Sequence, residues 1–121
     1  MTKTQNSKRF DLEERTLAFA KAIRLFVGEL PRTTSNIEDI SQLIRSSGSV
    51  GANYIEANES LSKKDFIMRV KICRKEAKES SYWLKLINTS DSLRLGKERD
   101  NLIKETIELM SIFGSIIRKF E

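Results

Sequence analysis

The chain has 121 residues, 39% of them apolar and 32% charged, which suits one globular domain able to bury a core without staples. A single cysteine, Cys73, excludes an internal disulfide. The absence of histidine excludes His-dependent triads, the usual zinc sites and imidazole acid–base chemistry at neutral pH. The net charge of +5 is unevenly spread: residues 62–90 hold eight basic and three acidic side chains, whereas residues 34–61 hold one basic and four acidic.

The first ten residues, MTKTQNSKRF, are polar and basic without an apolar signal core, and no window approaches the ~18 apolar residues of a membrane span. The expectation is a cytoplasmic protein with no membrane association. Residues 1–9 read as a flexible basic arm and residues 10–121 as a single domain. One proline and five glycines leave few turns, which favours long helices.

The first helix is expected over about 11–30. Asp11 as N-cap and Glu14 three residues on resemble a capping box, and Pro31 stops the run. Leu12, Phe19, Ile23, Phe26, Val27 and Leu30 share one face. The second helix is expected over about 35–58, opened by the pair Ser35 and Glu38, with Ile37, Ile40, Ile44, Gly48, Gly51 and Ile55 as its core stripe. The third, over about 62–88, is capped by Ser62 and buries Phe66, Val70, Cys73, Ala77, Leu84 and Ile87. The fourth, over about 97–120, turns Leu102, Thr106, Leu109, Phe113, Ile116 and Phe120 inward. Four such helices on short links predict an all-α, antiparallel up-down four-helix bundle.

The stretch GSVGAN in the second helix invites comparison with phosphate-binding loops. A P-loop needs G-x-x-x-x-G-K-[ST] after a strand, a KH loop needs a mixed α/β domain, and a dinucleotide fingerprint fails for the same reasons. Two mid-helix glycines each cost about 0.5–1 kcal/mol against alanine. Close packing against an aromatic face, with Phe19, Phe26, Phe66 or Phe113 as candidates, would explain them. Gln42, Arg45, Ser49, Asn53 and Glu56 form a polar line beside that stripe.

On the third helix Lys64, Lys71, Arg74, Lys75, Lys78 and Lys85 occupy one sector. They read either as a solvated outer face or as a row of phosphate contacts to RNA or DNA, with steep salt dependence and little sequence preference. No aromatic is read among these cations, so single-strand base stacking is not expected. The opposite flank, Met68, Ile72, Glu76, Glu79, Trp83 and Leu86, is joined by a second apolar line on the second helix, Leu43, Val50 and Tyr54. Surplus apolar lines with Trp and Tyr point to a subunit interface, hence a homo-oligomer. Glu76 and Glu79 form a carboxylate pair, but no base or pocket accompanies them and the serines have no neighbouring base. No catalytic residue, metal ligand or cofactor is expected. The competing reading is an adaptor that docks a protein partner on the acidic second helix or the Trp83 flank, with the lysines serving only solubility.

The blocks QLIRSSGSVGANYIEA and KICRKEAKESSYWLKLI resemble the small four-helix proteins associated with intervening sequences of bacterial large-subunit ribosomal RNA genes, sometimes labelled ribosomal proteins. The family pattern falls on Gln42, Arg45, Ser46, Ser49, Val50, Asn53, Glu56 and Ala57, then on Glu76, Ala77, Glu79, Ser80, Trp83 and Leu84. Tyr54 and Ala57 depart from it, standing where an aliphatic residue and a glycine are usual. The resemblance spans roughly residues 10–120. It implies an up-down bundle assembling as a homopentamer. It also implies a nucleic-acid role, because a related branch is the accessory protein of diversity-generating retroelements.

Overall fold

The computed structural model describes the backbone of residues 3–121 and the side chains from residue 12 onwards. Four helices follow one another: α1 (Lys3–Val27), α2 (Thr34–Asn58), α3 (Lys63–Leu86) and α4 (Leu93–Phe120). No strand occurs among the described residues. Each helix packs on its neighbours in the chain and α1 closes on α4. This is the antiparallel up-down bundle that short connections impose.

The helix boundaries correct several caps. α1 begins at Lys3, so Asp11 is not its N-cap; the expected arm over residues 1–9 concerns side chains outside the described residues. It ends at Val27, ahead of Pro31, in a tightened turn where Glu29 N–H bonds Phe26 C=O and Leu30 N–H bonds Val27 C=O. α2 is capped by Thr33, whose hydroxyl accepts from Asn36 N–H, and not by Ser35. Ser62 caps α3 as expected, accepting from Asp65 N–H. α4 starts four residues before Lys97 because Ser92 accepts from Leu95 N–H.

The core stripes of α1 and α3 are those expected, apart from Val27 and Phe66, which are only half-buried. In α4, Thr106, Leu109 and Phe113 are buried, Leu102 and Ile116 are partly buried, and Phe120 is at the exposed end. The second helix is turned differently. Its buried residues are Asn36, Leu43, Ser46, Ser47, Val50, Tyr54 and Ala57. The isoleucine line, one residue out of phase and therefore rotated by about 100°, flanks the core: Ile40 packs partly buried against it, and Ile37 and Ile55 are half exposed at 50% and 51%. The wheel alone could not separate two apolar lines. What decides is that Asn36, Ser46 and Ser47, polar as they are, all find hydrogen-bond partners inside.

Asn36 is fully buried and ties two connections together. Its amide donates to the carbonyls of Pro31 (3.0 Å) and Asn88 (2.8 Å), while its Oδ1 accepts from Asn88 N–H (2.9 Å). The α1–α2 turn is thereby pinned to the end of α3.

Candidate nucleic-acid interface

Helical phase divides the surface of the α2–α3 pair. On α3 the buried line through Val70, Cys73, Ala77 and Leu84 points inward. The cations Lys64, Lys71, Arg74, Lys75, Lys78 and Lys85 project from the far side of that helix, and all six are exposed. Among the described residues Lys71 alone of the six has an ionic partner, Glu121 at 3.4 Å. Exposed cationic groups at steps of three, four and seven make a positive strip along the rod.

The polar line of α2 lies on the side of that helix nearest α3. Asn53 donates to the Ser49 carbonyl (2.9 Å), and its Oδ1 accepts from Arg69 of α3 (3.1 Å). Deeper in the seam Ser46 and Ser80 share a hydroxyl hydrogen bond of 2.9 Å, and Ser80 also donates to Glu76 C=O. Gln42, Arg45 and Glu56 are exposed around this seam. From α3 the same groove receives Met68, Ile72, Glu76, Glu79, Trp83 and Leu86, of which Ile72, Glu76 and Trp83 are half-buried. The motif residues of two helices thus line one face. Burial raises the Glu76 carboxyl above the usual carboxylate range, and the neighbouring Glu79 charge adds to the shift.

The α2 share of the expected subunit interface is overturned. Leu43 and Val50 are 0% exposed and Tyr54 is 5% exposed, its ring 6.0 Å from Phe113. These residues are the intramolecular core, because α2 turns this line inward and its isoleucines outward. Met68, Ile72, Trp83 and Leu86 remain accessible on the α3 flank.

The two glycines separate as well. A Cβ on Gly51 would sit 2.8 Å from Thr16 Oγ1, so α1 approaches the α2 backbone too closely for any side chain there. Close packing is therefore the reason for Gly51, but its partner is a threonine and not an aromatic ring. A Cβ on Gly48 would meet only the tip of Arg24 at an ordinary 3.7 Å, which leaves room. Beside both glycines an open groove of about 480 Å³ is lined by Leu17, Ala20, Arg24, Ala52 and Ile55 among others.

Two side chains were missed in the sequence reading. Arg69, passed over as one more cation, is held in the α2–α3 seam by Asn53. Tyr82 stands exposed on the cationic side of α3, where no aromatic was expected; its position three residues before Lys85 and four after Lys78 was the available signal. Cys73 is sealed in the core, and burial pushes its thiol up to about 12. No group of residues suited to holding a metal ion, and no helix long and apolar enough to cross a membrane, occurs among the described residues.

Fold and surface together define a compact helical bundle with one cationic helix face and one motif-bearing polar groove. The family of the 23S rRNA-intervening sequence protein matches residues 8–115, nearly the whole chain, and this protein belongs to that family. A solved structure of a protein with unknown function from the S23 ribosomal protein family of Bacteroides thetaiotaomicron is similar, with a TM-score of 0.79 and 29% identity. The match covers 92% of this chain and 98% of that one. No curated protein matches.

Proposed function

We propose that this protein is a non-enzymatic accessory factor that self-associates and binds RNA or DNA through phosphate contacts along α3. The observation that carries the reading is the strip of Lys64, Lys71, Arg74, Lys75, Lys78 and Lys85, all exposed on one helix face with a single ionic pairing to the described residues. Such a strip recognises charge and not sequence, because each phosphate neutralised releases counterions whatever the base. Self-association multiplies the strip and converts weak single contacts into avidity. The apolar side chains left outside, Met68, Trp83 and Leu86 on α3 with Leu17 and Ile55 in the α1–α2 groove, supply surface for it.

A labelled RNA titrated with protein across salt tests the binding. Affinity falls steeply with salt, and the Lys71→Gln/Lys75→Gln/Lys78→Gln variant loses both affinity and roughly one unit of salt slope per contact removed. Unchanged binding by the variant overturns the reading. Light scattering tests self-association; a monomer at micromolar concentration removes that part. A second reading, an adaptor for a protein partner, draws on the open apolar α1–α2 groove. Partners captured from lysate that survive nuclease treatment and are lost in Ile55→Glu favour it.

A further inference from the structure

The cationic row of α3 contains an aromatic ring. Lys71, Lys75, Lys78, Tyr82 and Lys85 succeed one another at steps of four, three, four and three, the spacing that keeps side chains in one line along a helix. Tyr82 is 58% exposed, the four lysines are exposed around it, and the row spans some 21 Å at about 1.5 Å per residue.

Its ring is nevertheless fixed. Trp83, half-buried against the core, meets it edge-on with centroids 5.0 Å apart and planes at 75°. A perpendicular contact of this kind occupies at most one face of the tyrosine ring, so a face is left open to solvent. An exposed aromatic with restricted motion costs less entropy to dock against than a free one.

We infer that Tyr82 is a stacking platform for an unpaired base, and that the preferred ligand of the α3 row is a single strand and not a duplex. Every base offers a π-face, so stacking adds affinity without adding sequence preference. In a duplex the bases are already stacked on one another and none is free to meet the ring. Lys78 and Lys85 lie about one turn to either side of Tyr82; a strand laid along α3 places phosphates beside both while the base between them reaches the ring. This rests on the proposed phosphate contacts and adds to them the class of ligand.

The test compares a short labelled oligoadenosine with the same strand annealed to oligouridine, by anisotropy at several salt concentrations. For the intact chain the single strand binds more tightly than the duplex, and the emission of Trp83, the sole tryptophan, changes on binding. Tyr82→Ala loses about five- to fiftyfold of single-strand affinity. Its salt slope and its duplex affinity are unchanged, and Tyr82→Phe keeps the affinity. Wild-type affinity in Tyr82→Ala, or a duplex bound as tightly as the single strand, overturns the inference while the lysine reading stands. Loss of binding in the lysine variant beside full binding in Tyr82→Ala likewise leaves charge alone. Failure of the intact chain to bind either ligand at low salt removes both.

Discussion

The seam between α2 and α3 and the seam between α1 and α4 close the same bundle by different physics. Along the first runs a ladder of hydrogen bonds spaced down the helices: Asn36 to Asn88, Ser46 to Ser80, Asn53 to Arg69. Only the last involves a charge. Among the described side chains the second seam is joined by ions, Arg15 to Glu105 and Glu108 midway along the two helices and Arg94 to Glu29 near the start of α4. Between those clamps lies an open groove of about 370 Å³ lined by Ala22, Leu25, Phe26 and Leu102 among others. Buried neutral hydrogen bonds resist salt and are expensive to leave half made, whereas exposed ion pairs are weak and screened. The α2–α3 pair, which carries the motif residues, is therefore expected to resist opening in salt, and α1–α4 to yield first.

The largest effect expected is Asn36→Leu. It leaves Asn88 N–H and two carbonyls, all at part-buried hydrogen bonds, without their partner, which costs about 3 kcal/mol and lowers Tm on the order of 10 °C in a thermal melt. Ser46→Ala comes next, at about 1 kcal/mol, since Ser80 keeps its bond to the Glu76 carbonyl. Adding Ser80→Ala to it costs less than the sum of the two single changes. Neither loss depends on salt.

Arg15→Ala probes the other seam. The guanidinium grips Glu105 through two hydrogen bonds of 2.7 and 2.8 Å, with Glu108 a third acceptor, and these bonds hold its pKa above the usual arginine value. The side chain is still about a third exposed. The expected cost is therefore about 0.5–1 kcal/mol at low ionic strength, and it disappears in molar salt. A loss that persists in molar salt would contradict the contrast. Arg94→Ala, at a fully solvated clamp, leaves the melt unchanged.

Glu76 offers a pH-resolved version. A carboxyl raised above its unfolded value favours the folded state below about pH 4.5, and that contribution fades as pH rises through the folded pKa. Glu76→Gln is accordingly more stable than the parent at neutral pH, and the gain vanishes in acid. Urea unfolding at both pH values measures it.

Much of this was legible in the chain. Three of the four buried lines follow from 3.6-residue spacing, because α1, α3 and α4 each carry one dominant apolar stripe. α2 carries two, and the less hydrophobic one is inside. No propensity or moment predicts that Asn36 outranks Ile37 for the interior; only the location of Asn88 and Pro31 in the folded chain makes an asparagine satisfiable there. The same limit explains the interface correction at Leu43, Val50 and Tyr54. Of the candidate site, the cations were readable as a row from their spacing alone. Tyr82 shares that spacing, but a charge pattern alone does not mark an aromatic standing between lysines.

Cys73 turns the closure of this bundle into something that can be counted. Its sulfur is sealed within the core and held protonated by burial. A thiol reagent therefore finds no thiolate and no path until helices part. With one such group per chain, a reagent slower than reclosing reads the opening free energy under native conditions, and one faster than reclosing reads the opening rate. The chain carries its own clock for how often α3 is uncovered.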